Sequence, residues 1–242
     1  MQAVVLAGGF GTRLYPLTRD VPKPMMKIIG KPILEFIIVR LKQCGISEMI
    51  FLVKHMADQV RNYFGNGEKW GVTIKYIAEK EPLGTAGAVR NARRFITEDF
   101  LVVSADGFST IDYNDIIKFH YTHKTALGSM VLTRVEDPRQ VGVVKINRRK
   151  RVTEFKEKPK TFVKGESYLV NTGIYVFSRK ILRRIPNRKV YDFAKDLFPL
   201  LIKRLYGMPS DCYWNDIGTL DAYYKTNLKV LESREDFAFL FE

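Results

Sequence analysis

Near its start the chain reads Leu6-Ala7-Gly8-Gly9-Phe10-Gly11-Thr12-Arg13-Leu14, and a little further on Pro22-Lys23-Pro24-Met25-Met26. Gly8, Gly9 and Gly11 leave bare backbone where any Cβ would collide with a close ligand. Successive N–H groups in such a turn form a concavity that holds an anion. Arg13 adds a planar fork matched to phosphate oxygens, and Lys23, between two prolines on what reads as an exposed loop, adds a point charge. These are parts for holding a polyphosphate. A tight β–α connection would use the same glycines, so the turn alone leaves both readings open. Two other phosphate motifs do not apply: counting from Gly9 puts Leu14 where a dinucleotide fingerprint needs its third glycine, and no glycine precedes Lys and Ser/Thr as in a P-loop.

Two carboxylates have the right type for a hard cation. Asp106 directly follows the apolar run Phe100–Ser104, where the carboxyl end of a strand would place it beside a ligand. It reads either as a turn or cap aspartate or as a magnesium ligand, since Mg²⁺ prefers carboxylate oxygen and retains waters and phosphates. Asp216 lies in Trp214-Asn215-Asp216-Ile217-Gly218-Thr219, where Thr219 is the better cap for the helix that follows. A third feature is the polar Asn171-Thr172-Gly173 inside an otherwise apolar run, uneconomical unless the amide has a partner.

The elements that must position these residues follow from the hydrophobic pattern. Strands are predicted at Ala3–Leu6, Glu48–Val53, Val72–Ile77 and Phe100–Ser104, with helices at Lys31–Cys44, Ala57–Phe64 and Gly84–Phe95 alternating between them. Such alternation predicts an α/β, Rossmann-like, mostly parallel sheet flanked by helices. After a helix at Ile111–His123, strands at Ala126–Val135, Gly142–Ile146, Val152–Lys156 and Tyr168–Phe177 follow without helices between them, which predicts an antiparallel extension covering one side of the cleft. Further helices are expected at Lys180–Arg184, Asp192–Leu205 and Leu220–Leu231, with a strand at Asp211–Trp214.

At 242 residues the chain fits one α/β domain. No apolar run has the length of a membrane span and no leader precedes the first strand, so no membrane association is expected. Two cysteines and three scattered histidines make neither a disulfide framework nor a zinc site, and a cytoplasmic location is the expectation. The net charge of +14 is compatible with phosphorylated substrates. Its basic residues are dispersed, or gathered in Arg148-Arg149-Lys150-Arg151, which reads as a solvated hairpin tip, so no nucleic-acid partner is expected.

The glycine loop with Arg13, followed by Pro22-Lys23-Pro24, resembles the signature of the NDP-sugar pyrophosphorylases, the nucleotidyltransferases that make nucleotide sugars. Six motifs appear in that family's order, from Gln2 to about Leu231. The resemblance implies nucleotide contacts from Leu6, Ala7, Gly8, Gly9, Gly11, Thr12, Glu79, Gly84 and Thr85. It implies catalytic roles for Arg13, on the departing pyrophosphate, and Lys23, near the α-phosphate. It implies sugar-phosphate contacts from Gly142, Glu157, Lys158 and Asn171, and Mg²⁺ held by Asp106 and Asp216. The first metal segment departs from the family, with Ser104-Ala105-Asp106-Gly107 where an N-G-D pattern is usual. The substrates implied are an NTP and a sugar 1-phosphate. Glu81–Gly87 and Pro22–Met25 look more like guanylyltransferases for mannose- or heptose-type phosphates than other branches, but these residues fix neither base nor sugar. Many relatives carry a carboxy-terminal left-handed β-helix, and none is expected in residues 1–242, read as a single nucleotidyltransferase domain; a homo-oligomer is compatible with that reading. Two alternatives stand beside it: a nucleotidyltransferase for a non-sugar phosphate such as phosphocholine, and a non-catalytic nucleotide-sugar-binding regulatory subunit.

Overall fold

A computed structural model describes residues 1–79, 81–187, 190–233, 235 and 237. The apolar run after Met1 forms β1 (Gln2–Ala7), the strand on which the rest is laid. Its Ala3, Val4 and Val5 are fully buried, as a strand covered on both faces requires. Two short strands, β2 (Lys27–Ile28) and β3 (Lys31–Pro32), lead into α1 (Ile33–Gln43). Then come β4 (Glu48–Val53), α2 (Ala57–Phe64), β5 (Thr73–Ala78), α3 (Thr85–Asn91) and β6 (Phe100–Ser104). β1 lies between β4 and β6, parallel to both, and β5 runs parallel to β4 on the outside. This is the predicted doubly wound half.

The second half follows as β7 (Gly107–Ser109), α4 (Tyr113–Thr122), β8 (Gly128–Val135), β9 (Gly142–Ile146), β10 (Val152–Glu157) and β11 (Tyr168–Phe177). β11 pairs antiparallel with β6 and β8, and at its start with β9, which forms a hairpin with β10. The basic tip at residues 148–151 is exposed at the turn of that hairpin, as expected. The chain closes with α5 (Phe198–Leu201), β12 (Leu205–Pro209), β13 (Trp214–Asp216) and α6 (Leu220–Glu232). Among the described residues the resulting sheet has nine strands and is mixed, with its parallel part built on β1.

Alternate residues of β1 feed different layers. Ala3 and Val5 belong to the core cluster that contains Ile33, Leu34 and Ile38 of α1, whereas Val4 belongs to the one that contains the buried residues of α3 with Phe193 and Phe198. Burying one such aliphatic side chain contributes roughly 1.5–3 kcal/mol.

Three expectations about elements need correction. The helix predicted at Asp192–Leu205 is a π-type turn at Phe193–Leu197, then α5 with Pro199 in its first turn, then a 3₁₀ turn, before the chain leaves as β12. The helix predicted at Lys180–Arg184 is a 3₁₀ turn. The strand predicted at Asp211–Trp214 is displaced to Trp214–Asp216 because it pairs with β7, a strand too short to show alternation. That displacement shapes the site.

Candidate active site

β7 and β13 form an antiparallel ribbon at the rim of the sheet, in which Asp216 stands opposite Gly107, and the Ile217 N–H donates to the Asp106 carbonyl at 2.9 Å. Two backbone ladders distant in sequence thereby bring Asp106 and Asp216 side by side. Trp214 anchors the ribbon, its indole N–H donating to the Thr172 carbonyl of β11 at 2.9 Å. Gly107 permits this, since a Cβ there would approach that indole nitrogen to 3.1 Å.

Lys23 joins the two carboxylates. Its Nζ lies 3.3 Å from Asp106 Oδ2 and 3.3 Å from Asp216 Oδ1. The expected exposed loop is corrected here: Lys23 is only 5% exposed, seated in a 3₁₀ turn between Pro22 and Met26. Gly11, at φ 65°, closes over it, and a Cβ there would meet the Lys23 Cβ at 3.2 Å. Arg13 reaches the same place from the other side, with Nη2 3.7 Å from Asp216 Oδ2 and Nη1 donating to Gln140 Oε1 at 3.2 Å.

The charges are unbalanced in a telling way. Burial and the charge of Asp106 push the Asp216 carboxyl above its ordinary value, against Lys23 and Arg13. For Asp106, burial opposes ionisation, but Lys23 and the Ser104 hydroxyl, which donates at 2.6 Å, outweigh it and hold that carboxyl below its ordinary value. Two carboxylates that repel each other across one lysine have room for more positive charge. Their donor set is hard oxygen, suited to Mg²⁺. Among the described residues no three His, Cys, Asp or Glu side chains gather into a metal cage, so an ion on Asp106 and Asp216 would need waters and ligand phosphates to complete its shell.

Two cavities meet at this point. One, of about 290 Å³, runs from the Leu6–Phe10 turn to Glu79 and the Pro82–Thr85 segment, with Lys23, Lys54 and Asp106 on its wall. The other, of about 260 Å³, is lined by Arg13, Gln140, Gly142, Glu157, Lys158, Asn171 and Asp216. Leu6, Thr85, Ser104, Asp106 and Asp192 belong to both. Most of the sequence-derived candidates are thus brought together along the carboxyl edge of the parallel strands. Gly11 and Thr12 are not on either lining; Gly11 instead accepts from Thr18 Oγ1 at 2.8 Å, bracing the loop.

Several candidates have structural work of their own. Gly84 has φ 72°, and a Cβ there would come within 2.7 Å of the Tyr191 carbonyl oxygen, so its bareness also admits the neighbouring chain. A Cβ on Gly142 would meet the Phe155 ring at 2.6 Å and Glu157 Oε2 at 2.9 Å. The Asn171 amide donates to the Tyr175 hydroxyl at 2.7 Å, at the register break where Gly173 turns to φ 80°. Lys158 sits at φ 45°, a strained conformation for a residue with a Cβ, held by its N–H donating to the Val141 carbonyl. Burial raises the pKa of Glu157, with Asp192 adding to it against Lys158 and Lys195, and burial raises that of Glu79, against the Leu83 N–H and Lys54.

Sequence reasoning missed Asp192, whose Oδ1 accepts from both the N–H and the hydroxyl of Thr85 at 3.2 Å, and Lys54, which follows β4. Asp192 carried no motif. Lys54 had one available signal: it follows the strand adjacent to β1, on the ligand edge.

A doubly wound sheet with a glycine-rich turn after its first strand and two adjoining cavities at its carboxyl edge defines a nucleotide-binding α/β protein with room for two ligands. The chain matches the family model described as "Nucleotidyl transferase" over residues 2–233, and it belongs to that family. It is 38% identical over 225 residues to a mannose-1-phosphate guanylyltransferase catalytic subunit beta from Danio rerio, covering 90% of this chain and 61% of that one. It is 33% identical to a UTP–glucose-1-phosphate uridylyltransferase from Synechocystis, covering 97% and 64%. Among solved structures, HddC from Yersinia pseudotuberculosis superposes with a TM-score of 0.80 at 30% identity, covering 94% of this chain and 98% of that chain. The chain thus spans less than two thirds of the length of the curated relatives it matches. Among the described residues no helix is long and apolar enough to cross a membrane.

Proposed function

We propose that this chain transfers a nucleotidyl group from an NTP to a sugar 1-phosphate, giving an NDP-sugar and pyrophosphate. The observation that carries the reading is the pair of cavities sharing Asp106, with Lys23 and Asp216 at their junction. The names of the relatives, sugar-1-phosphate guanylyl- and uridylyltransferases, support the same reaction class.

In this reading the nucleotide lies in the first cavity, its phosphates along the N–H groups of residues 8–10. The sugar lies in the second, with its phosphate on Lys158 and its hydroxyls facing Glu157 and Asn171. A sugar-phosphate oxygen attacks the α-phosphorus in line, and pyrophosphate leaves without any covalent intermediate with the protein. Such chemistry rests on positioning and charge neutralisation rather than on a protein nucleophile. Lys23 is held where charge develops on the α-phosphate, and Arg13 faces the departing pyrophosphate. Asp106 and Asp216 would hold Mg²⁺, which when bound supplies neutralisation of phosphate charge. The hydroxyl-binding groups of the second cavity favour a sugar over a phosphocholine-type acceptor. Residues 1–242 act as one nucleotidyltransferase domain in this reading.

The test is pyrophosphate release from each common NTP with a panel of sugar 1-phosphates, with and without Mg²⁺. Release that requires both substrates supports the reading. An intact chain that binds nucleotide but releases no pyrophosphate with any pair would assign it instead to a regulatory subunit.

A further inference from the structure

Four consecutive cations, Arg148 to Arg151, cross the turn between β9 and β10, and the last of them is tied down. Lys150 takes a left-handed φ of 61° as the chain turns towards β12. Arg151 then bridges Tyr206 of β12, and the Gly207 N–H donates to the Lys150 carbonyl at 2.9 Å. The side chains repeat the contact, with Arg151 Nη2 donating to the Tyr206 hydroxyl at 3.1 Å. Thr125 Oγ1 lies 3.3 Å from the same hydroxyl, and Arg204 Nε donates to the Thr125 carbonyl at 2.8 Å. Tyr206 is 5% exposed, its ring centroid 4.2 Å from that of His123, just past α4. A buried phenol thereby gathers two guanidinium groups, Arg151 directly and Arg204 through Thr125.

Arg151, Arg204 and Thr125 are themselves exposed, as are the adjacent Lys150 and Lys203. Among the described residues no carboxylate forms an ion pair with any of these four cations, and Glu154 of β10 is engaged by Lys145 at 2.7 Å. Hydrogen bonds from Thr125 and Arg151 hold the Tyr206 phenol below its ordinary pKa against burial, with the charges of Arg151 and Arg204 adding to the effect. Cations gathered without a counter-charge repel one another, and an anion placed among them relieves that repulsion. The spot is separate from the transfer site. Gly142 and Glu157 pair at the open end of the hairpin and line the second cavity, whereas Arg151 precedes β10 at the closed end. Six residues of extended chain set Arg151 roughly 20 Å from Glu157.

We propose that Arg151 and Arg204, together with the Thr125 hydroxyl, form an anion site that takes free phosphate or a phosphomonoester, with Tyr206 as its positioning residue. The proposal does not depend on nucleotidyl transfer in the two cavities. A phosphate dianion presents several equivalent oxygens, and guanidinium forks match them two at a time. Arg151 gives one N–H to Tyr206 and Arg204 gives its Nε–H to Thr125, so each keeps donors for a ligand. The Thr125 hydroxyl supplies a further, neutral donor.

The experiment titrates inorganic phosphate into the full chain by calorimetry, at an ionic strength held constant with chloride. The Arg151→Gln/Arg204→Gln double variant should lose one phosphate per chain, or bind it about 10–100-fold more weakly, the range for hydrogen bonds to charged groups. Phosphate taken by the two cavities is common to both proteins and cancels in the comparison. Tyr206→Phe keeps both arginines and should lose affinity several-fold. Melting temperature in chloride and pyrophosphate release should stay unchanged in the double variant. Phosphate bound equally by the double variant and the unaltered chain overturns the proposal. So does an Arg151→Lys/Arg204→Lys variant that binds as tightly as the unaltered chain, since that marks diffuse charge and not paired forks. Phosphatidylcholine vesicles carrying phosphatidic acid or phosphatidylserine then identify the source. Sedimentation with phosphatidic acid alone, lost in the double variant, assigns the site to a lipid phosphomonoester. Phosphate binding without vesicle binding assigns it to a soluble one. Equal sedimentation with both lipids and no phosphate binding in solution overturns the proposal.

Discussion

Asp106 and Asp216, far apart in the chain, approach the same ammonium, each with a carboxylate oxygen 3.3 Å from Lys23 Nζ. The β7–β13 ribbon imposes this by setting Asp216 opposite Gly107. The three charges stand where the two cavities join, so in the proposed reaction they act as one unit on whatever lies across the junction.

Unit behaviour is measurable. Asp106→Asn and Asp216→Asn should each lower turnover by roughly 10²-fold or more. The double variant should be little worse than the poorer single one, because residues acting together are non-additive. Steady-state kinetics at saturating Mg²⁺ checks this, and multiplicative losses would mean that the two carboxylates act separately.

Lys23→Ala should lower kcat by about 10²–10³-fold, the usual cost of one lost donor to developing charge. Because Lys23 is buried, the fold should suffer as well. Removing it leaves two repelling carboxylates, a cost of about 1–2 kcal/mol after discounting for the half-exposed Asp106. Thermal melting in EDTA should show that loss, and Lys23→Ala combined with Asp106→Asn should recover most of it. A double variant as unstable as Lys23→Ala alone would assign the loss to packing.

Lys158→Ala should raise KM for the sugar 1-phosphate with little change in that for the NTP, since Lys158 lines only the second cavity. Equal rises in both constants would remove Lys158 from the sugar-phosphate contacts.

A pH-dependent contribution to stability comes from away from the site. His120 of α4 is 4% exposed, with Nδ1 2.9 Å from the Ser129 hydroxyl of β8. Burial holds its pKa below 6.5, opposed by Asp99 and aided by His123. The unfolded chain therefore binds the proton more readily, so the contribution is complete above about pH 6.5 and is lost as pH falls towards the depressed folded value. Melting temperature should decline between about pH 7.5 and 5.5, and His120→Asn should decline less across that window. Parallel slopes for the two proteins would contradict the assignment.

Much of this was legible in the sequence where the signal is local. The Gly8–Gly11 turn, Arg13, and strand–helix alternation through Ser104 are patterns within short windows, and the sheet follows them. Thr219 was legible as the cap of α6, and its hydroxyl accepts from the Ala222 N–H at 3.2 Å. The convergence of Asp106 with Asp216 depends on two three-residue strands that no periodicity marks. The burial of Lys23 depends on Gly11 folding over it, a contact between loop residues with no sequence pattern. β12 was hidden because Gly207 and Pro209 argue against a strand, yet they are tolerated where β12 pairs along its length with β8 and meets the β9–β10 turn through an isolated bridge between Tyr206 and Arg151. Asp192 and Lys54 reach the cavities as single residues after or between elements, and only the assembled rim shows them.

The most direct test is a structure of the chain with a non-hydrolysable NTP analogue, a sugar 1-phosphate and Mg²⁺. The base should lie against Glu79, the α-phosphorus should face Lys23 and the Asp106–Asp216 pair, and the sugar phosphate should lie on Lys158, its oxygen aimed at that phosphorus. A nucleotide bound elsewhere, or one whose phosphates point away from Asp106 and Lys23, would contradict nucleotidyl transfer at this junction.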